Sequence, residues 1–160
     1  MPESAEIQEA LLKIPNPVAV LSVTDGEEVN GMIASWVTQI SANPPQVLVA
    51  VKPTRYSHDM IASAGYFVLN LLREDQKGSV PQFKLKGDAR DEKYKGIATA
   101  KDSHGQVYLT DAAATLHCRV VKQVSAGDHT LFIGEVTEGH ANGAVALSTI
   151  SYGKGYSGKG

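Results

Sequence analysis

Short apolar runs bounded by turn residues recur along the chain, which is the pattern of β-strands in a mainly β domain. The strand candidates in the first half are PVAVLSVT, GMIASWVTQIS, QVLVAVK and YFVLNLL. In the second half, ATLHCRVVKQV and HTLFIGEVTEG are separated by a tight turn over 125–128, so we expect them to pair as a hairpin. VALSTI is expected to form a last strand.

Helical patterns are few and short. Apolar residues recur at helical spacing within 1–14, where Ser4 can cap a helix that lies on the outside of the domain. SHDMIASA predicts a second short helix with Ser57 as its N-cap. Residues 73–106 are polar and predict a surface excursion with a helical turn or two, and the glycine-rich end, 151–160, predicts a flexible tail.

This order of elements predicts a mainly β fold. Five to seven strands with only a few short flanking helices favour a β-barrel, because the alternating strands and helices of a doubly wound nucleotide fold are missing. GKGYSG at 153–158 matches the dinucleotide motif G-x-G-x-x-G, but no helix is predicted after it. We expect one domain over residues 1–160.

Charge and cysteine content limit the functions that are possible. Fifteen basic and seventeen acidic residues give a net charge of -2, which argues against binding of nucleic acid or an anionic membrane. Cys118 is the only cysteine, so an internal disulfide and a CxxC pair are excluded. No signal peptide and no membrane span is recognisable. We expect a cytoplasmic protein whose partners are small molecules or proteins.

Several familiar motifs do not occur. The sequence has no Walker loop and no G-x-S-x-G elbow, and its five histidines are never three or four residues apart on a predicted helix, so no metal site is expected. Acidic residues interrupt the basic run between Lys84 and Lys95, and we interpret this run as a solvated face. The basic residues are Lys84, Lys86, Arg90, Lys93 and Lys95, and the acidic ones are Asp88, Asp91 and Glu92.

The strand candidate GMIASWVTQIS is unusual because it carries Gly31, Ala34 and Ser35, where packing favours larger side chains. Small residues leave the backbone open to close approach, and a flat ring such as an isoalloxazine needs backbone hydrogen bonds and an apolar wall, which Trp36 could supply. The alternative is an ordinary barrel strand with a buried Trp and a glycine bulge.

Two further stretches carry candidate chemistry. KPTRYSHDM places Arg55 and Ser57 at the start of a helix, where the guanidinium, the hydroxyl and the helix dipole can meet a phosphate such as that of FMN. The alternative is a capped helix with an exposed arginine. In GDHTLFIGEV, His129 follows a turn and could meet the edge of a ligand, although a surface histidine is the simpler interpretation. Asp128 is expected to point the opposite way, without forming a dyad with His129.

Five stretches in this order resemble the flavin reductase family, whose fold is an FMN-binding split β-barrel: GMIASWVTQISANPP, KPTRYSHDMI, GYFVLNLL, KGDARDEKYKG and GDHTLFIGEV. The resemblance spans about residues 15–140 and includes both the flavin reductase modules of flavodiiron proteins and stand-alone ferric or flavin reductases. It implies a homodimer that binds FMN near the subunit interface. It also implies hydride transfer from NADH or NADPH to FMN, and from there electron transfer to a small molecule or a protein.

The resemblance also implies roles for individual residues. The residues expected to border the isoalloxazine are Met32, Ala34, Ser35 and Trp36. Those expected to hold the ribityl chain and the phosphate are Ser41, Lys52, Arg55, Tyr56 and Ser57. His129 is the expected catalytic residue, beside the flavin and the nicotinamide, with an orienting role. Ile33 departs from the family pattern, since many members have threonine there, and a hydroxyl beside the flavin is lost.

The sequence leaves two other functions open. One is a non-catalytic electron carrier of the flavoredoxin type, which holds FMN tightly and is reduced by a protein partner. The other is a β-barrel ligand-binding or interaction module without flavin, in which the small residues only relieve crowding within the barrel.

Overall fold

The computed structural model describes residues 4–153. Its helices are α1 (Ala5–Leu11), α2 (Tyr56–Ala64) and α3 (Thr149–Tyr152), with three 3-10 segments at Glu74–Ser79, Pro81–Lys84 and Gly87–Glu92. Its strands are β1 (Ala19–Asp25), β2 (Glu28–Ala34), β3 (Val37–Ala42), β4 (Pro45–Val51), β5 (Tyr66–Leu71), β6 (Thr99–Lys101), β7 (Val107–Leu109), β8 (Ala114–Ala126) and β9 (His129–Ala141). The predicted tail lies largely outside the described residues, as does most of the glycine motif.

Seven of the strands form one antiparallel sheet in the order β2-β1-β5-β8-β9-β4-β3, and β6 and β7 form a separate pair. The two end strands, β2 and β3, follow one another in the chain, yet within residues 4–153 no ladder joins them. Within this range the sheet therefore does not close into a complete barrel. The predicted mainly β fold with a few short helices is confirmed.

Strand β1 is the centre of the core because both of its faces are buried. On one face Leu21 belongs to an apolar cluster with Phe67 and Phe132. On the other face Val20 belongs to a second cluster with Phe83, which comes from the polar excursion. The excursion is thus anchored to the sheet by an aromatic side chain, and this anchoring matters for the site described below.

The predicted hairpin is confirmed, since β8 and β9 pair from Ala126↔His129 at the turn to Ala114↔Ala141 at the far end. The predicted last strand, VALSTI, is wrong. This segment makes only single bridges, Pro17↔Ser148 and Arg73↔Ala146. Ser148 then caps α3, its Oγ accepting a hydrogen bond from the Ser151 amide at 3.0 Å. Serine is a preferred N-cap residue, so Ser148 favours the start of a helix over the continuation of a strand.

GMIASWVTQIS is not one strand, contrary to the prediction. Strand β2 ends at Ala34, and β3 begins at Val37 and pairs with β4 at the other end of the sheet. The chain bends at Ser35, whose carbonyl accepts from the Val37 amide at 3.0 Å. The alternation of side chains along β2 therefore does not continue past Ala34, and Trp36 is 41% exposed.

The two predicted helices are present. Ser4 caps α1 as expected, with Oγ accepting from the Ile7 amide at 3.2 Å, and no residue of α1 is buried. The N-cap of α2 is Arg55, however, and not Ser57. The Ser57 hydroxyl instead accepts a hydrogen bond from the Asn30 side chain of β2 at 2.8 Å. Across the described range, no helix combines the length and apolar character that crossing a membrane requires.

Candidate functional site

A cavity of about 910 Å³ lies between β2, the start of α2 and the segment 83–93. Ligand sites for small molecules commonly measure about 300 to 1,000 Å³. Part of its wall is apolar and consists of Met32, Ile33, Phe83 and Leu85. The cavity is therefore large enough for a multi-ring ligand and offers that ligand an apolar surface.

The polar part of this cavity is strongly cationic. Its basic lining residues are Lys52, Arg55, Lys84, Lys86, Arg90 and Lys93. No acidic residue is among the described residues that line it. Because cations gathered in a concave surface reinforce one another's potential, this site attracts anions although the whole chain carries a net charge of -2.

Lys93 is the most buried of these cations, with 4% of its surface exposed. Its Nζ donates to the Gly31 carbonyl at 2.7 Å and to the Asn30 Oδ1 at 3.1 Å. Asn30 in turn donates to Ser57, so this chain of hydrogen bonds joins the excursion to β2 and α2. No carboxylate lies within ion-pair distance of Lys93 among the side chains that the structure describes. A buried cation without a carboxylate partner favours an anionic ligand.

Burial, together with the nearby charges of Arg90 and Arg55, lowers the pKa of Lys93 from 10.5 to about 8. At neutral pH Lys93 is still mostly protonated. It loses its charge in a pH range in which exposed lysines keep theirs. Bound anions would raise this pKa again, because they stabilise the protonated form.

The lowered pKa of Lys93 predicts a change of stability with pH. Between pH 8 and 10.5 the unfolded chain holds the Lys93 proton and the folded chain has released it. Stability rises with pH wherever the unfolded state binds more protons. We expect the free energy of unfolding of the wild type to increase across this range relative to that of Lys93→Gln, in urea titrations at pH 7.5 and 10. A constant difference between the two proteins would contradict the burial of a charged Lys93.

Tyr56 positions a second cation at the cavity. Its hydroxyl donates to Glu28 Oε2 at 2.7 Å, and this hydrogen bond raises the pKa of the phenol. The guanidinium of Arg90 lies 3.7 Å from the centre of the Tyr56 ring. Such a contact between a cation and an aromatic face holds Arg90 beside the N-terminus of α2. The positive end of that helix adds to the anion preference of the cavity.

Gly31 does not leave room for a ligand, contrary to the interpretation from its small size. A Cβ at this position would lie 2.7 Å from the Tyr94 hydroxyl and 3.1 Å from the Phe83 ring. The chain's own aromatic residues thus fill the space above Gly31. The glycine instead lets the excursion pack closely on β2, which places the lysines of the excursion at the cavity.

His129 begins β9 and is 5% exposed. Its Nδ1 lies 2.6 Å from Asp128 Oδ1, and its ring centre lies 4.6 Å from that of Trp36. The prediction that Asp128 and His129 point apart is therefore wrong, because Asp128 lies in the turn, where strand alternation does not apply. His129 Nε2 is buried and has no hydrogen-bond partner among the described residues. The hydrogen bond from His129 lowers the pKa of Asp128.

Comparison with known proteins gives the family. Residues 11–157 match the family model described as "Flavin reductase like domain". The chain belongs to the flavin reductase-like family. Its curated relatives include the diflavin flavoprotein A 1 of Synechocystis, 30% identical over 94% of this chain and 26% of the relative. The chain thus spans about a quarter of the length of this diflavin flavoprotein.

Two other relatives are closer to this chain in length. The NADH-dependent FMN reductase AsuE2 of Streptomyces nodosus subsp. asukaensis is 30% identical over 97% of this chain and 84% of the relative. The solved structure of flavin reductase PheA2 in its native state superposes with a TM-score of 0.80 at 29% identity, covering 92% of this chain and 93% of the other. The resemblance to flavin reductases found in the sequence is confirmed.

The structure of this flavin reductase-like chain brings together six of the ten residues expected at the site. Those that line the cavity are Met32, Ser35, Lys52, Arg55, Tyr56 and Ser57. Ala34 is buried in the core and does not line the cavity, and Ser41 is half-buried on β3. Trp36 and His129 pack on each other. His129 lies near Lys52, because Val51, just before Lys52, pairs with Thr130, just after His129. The roles of all ten residues remain predictions.

The sequence interpretation missed the contribution of the excursion. Lys84, Lys86, Arg90 and Lys93 all line the cavity. The interpretation as a solvated face is wrong for the buried Lys93, whereas Lys84 and Lys86 are exposed as expected. A signal was available in FKLKG, where Phe83 and Leu85 alternate with lysines as they do in a segment with one buried side. Lys95, by contrast, is solvated as expected, with 79% of its side chain exposed.

Proposed function

We propose that this chain binds FMN and catalyses its reduction by NADH or NADPH. The observation that carries the proposal is the cavity with one apolar wall and six cations, of which Lys93 is buried without a carboxylate partner among the described side chains. FMN combines a flat, largely apolar ring system with a phosphate dianion. The residues present therefore fit both parts of the molecule.

The names of the relatives support the proposed reaction. AsuE2 is called an NADH-dependent FMN reductase. A protein of Streptomyces pristinaespiralis, 33% identical over 82% of this chain and 74% of the relative, is called an NADH:riboflavin 5'-phosphate oxidoreductase. Both are matched over most of their length. We propose NADH ahead of NADPH as the donor on this ground, and a small molecule or a protein as the final electron acceptor.

In this proposal the protein positions the ligand and sets the charge around it. Bound FMN supplies the redox chemistry, by accepting hydride from the nicotinamide and passing electrons on. Arg55, Lys93 and the N-terminus of α2 bind the phosphate. Met32 and Ile33 provide an apolar wall for the ring. Asp128 holds the His129 imidazole through Nδ1, which leaves Nε2 to orient a bound molecule.

Replacement of Arg55 is expected to change the affinity for FMN much more than the rate of flavin reduction. We expect Arg55→Ala to weaken FMN binding by about tenfold or more, since a charge-assisted hydrogen bond contributes about 1.5 to 3 kcal/mol. The rate of flavin reduction at saturating FMN should change much less, because Arg55 holds the phosphate and not the reacting ring. Fluorescence titration and anaerobic stopped-flow kinetics measure the two quantities. Unchanged affinity would contradict the assigned role of Arg55.

One experiment tests the proposed function as a whole. The purified protein is mixed with FMN without oxygen, and NADH and NADPH are added in turn. Loss of the flavin absorption band at a rate above that of free FMN supports the reductase. Tight FMN binding without nicotinamide oxidation would instead indicate the flavoredoxin-type carrier. Unchanged FMN fluorescence on addition of the protein would indicate a module that binds no flavin.

We also propose that the chain forms a homodimer and works in the cytoplasm. Trp36 and Ile40 are large apolar residues with 41% and 45% exposure, at or beside β3, the end strand of the sheet formed by residues 4–153, and a second copy could cover them. The single cysteine, Cys118, is buried as a free thiol, as is usual in a reducing compartment. A mass measurement by light scattering tests the dimer, and a monomeric mass at working concentration would contradict it.

A further inference from the structure

Three potential metal ligands lie together on β8 and β9, at the end of the hairpin away from the turn. His117 on β8 is paired with Glu138 on β9, and His140 follows Glu138 by two residues. Residues two apart on a strand share a face, and paired residues on neighbouring strands do as well. One ligand atom from each of the three side chains lies within 4.8 Å of the others.

The buried member of this cluster is already oriented as metal-binding histidines are. His117 is 1% exposed, and its Nδ1 lies 2.9 Å from Asp102 Oδ2. Asp102 Oδ1 accepts from the backbone amides of His104 and Gln106, at 2.8 and 2.9 Å, so the carboxylate is fixed. A proton held on Nδ1 leaves the Nε2 lone pair as the ligand. A carboxylate behind a ligating histidine is a recurring arrangement in zinc sites.

The other two ligands are accessible and can move. The side chains of Glu138 and His140 are 39% and 55% exposed, and they lie 2.9 Å apart through Oε1 and Nε2. A small pocket of about 200 Å³ opens beside His140, lined also by Tyr108, Thr115 and Asn142. An ion can therefore enter from solvent, and water can complete its coordination.

We propose that His117, Glu138 and His140 bind one divalent transition metal ion of the zinc class. Two imidazoles and one carboxylate suit zinc, nickel and cobalt better than calcium or magnesium. With bonds of about 2.0 to 2.2 Å, tetrahedral ligand atoms lie roughly 3.4 Å apart, so separations of up to 4.8 Å must shorten by up to about 1.4 Å. The exposed side chains of Glu138 and His140 can make this movement. His117 would exchange its 3.0 Å hydrogen bond with Thr115 for the metal bond.

Histidine spacings typical of a helix do not reveal this site, and no metal site was expected from them. On a hairpin the relevant spacing is two residues along one strand together with the register of the neighbouring strand. The site is built from β8, β9 and the turn before β7, whereas the cationic cavity is built from β2, α2 and the excursion. A bound ion would join β8 to β9 and stabilise the folded state.

Zinc and cobalt titrations of untagged, chelator-treated protein test the proposal. We expect one equivalent of Zn²⁺ to bind by calorimetry and to raise the melting temperature. We also expect Co²⁺ to give visible absorption bands that Zn²⁺ removes. His140→Ala should weaken Zn²⁺ binding by about 100-fold and Glu138→Gln by at least about tenfold, since even outer partners of metal ligands matter by 10- to 100-fold. The side chains of both residues are partly exposed, so neither change should prevent folding.

Two matched variants control for nonspecific binding. His104→Ala removes another exposed histidine, from the turn that holds Asp102, and Glu135→Gln removes another carboxylate of β9. Zn²⁺ affinity should be unchanged in both. Asp102→Asn should weaken binding by 10- to 100-fold if Asp102 positions His117. The proposal is overturned if the wild type binds no stoichiometric Zn²⁺, or if the His140 and Glu138 variants bind it as well as the wild type does.

Discussion

Replacing Lys93 with glutamine is expected to weaken FMN binding by about 10- to 100-fold, because one charge-assisted hydrogen bond to the phosphate contributes about 1.5 to 3 kcal/mol. Lys93 is the one basic residue of the cavity that is nearly inaccessible to water, at 4% exposure. Its charge is therefore screened less than the charges of the other lysines. Glutamine keeps a donor for Asn30 and Gly31 but has no charge. Fluorescence titration of FMN measures the change.

A titration with riboflavin distinguishes the contribution of the phosphate to binding from that of the ring. Riboflavin has the same ring system and ribityl chain as FMN but no phosphate, so its affinity should be the same for wild type and Lys93→Gln. Lys95→Gln is the matched control variant, because Lys95 is close in sequence, is exposed, and pairs only at 3.4 Å with Glu92. Its FMN affinity should equal that of the wild type. An equal loss of FMN and riboflavin affinity in Lys93→Gln would show that Lys93 does not bind the phosphate.

The second large effect concerns the core of the sheet. We expect Gly134→Ala to lower the free energy of unfolding by about 1 to 3 kcal/mol, the usual cost of overpacking a dense interior. A Cβ at this position of β9 would lie 2.7 Å from the Cys118 Cβ and 2.8 Å from the Phe67 ring. Cys118 Cβ is fixed by its backbone, and Phe67 is completely buried, so neither can move away at low cost.

Chemical denaturation of Gly134→Ala and Gly139→Ala measures this effect. Gly139 lies on the same strand, but a Cβ there would meet its nearest neighbour at an ordinary 3.6 Å. Its stability should therefore stay within about 0.5 kcal/mol of the wild type. Equal stability of Gly134→Ala and the wild type would mean that β9 does not pack on Phe67 as closely as the structure has it.

The sequence predicted those features that local patterns determine. The hairpin of β8 and β9 followed from two apolar runs around a short turn, and the position of α1 followed from Ser4 and the helical spacing after it. Its prediction of a phosphate site at the start of α2 also located one side of the cavity, since Arg55 and Ser57 both line it. These signals need no knowledge of distant contacts.

What the sequence could not predict depends on contacts between distant segments. The break after Ala34 arises because β3 pairs with β4 at the far end of the sheet, and no local residue pattern specifies that pairing. Ser57 was expected to cap α2, but its hydroxyl instead accepts a hydrogen bond from the side chain of Asn30, 27 positions earlier. The burial of Lys93 likewise requires that the excursion fold back over Gly31, which a polar composition does not indicate.

One side chain ties two parts of the excursion together. The side-chain amide of Gln82 lies within 3.1 Å of the carbonyl oxygens of Glu92, Lys93 and Lys95. It therefore closes residues 82–95 into a loop. Lys84 and Lys86, within that loop, take no part in the two apolar clusters that stabilise the sheet. Under the proposed function, substitutions at these two positions would therefore change the charge offered to a phosphate without removing an apolar contact that stabilises the sheet.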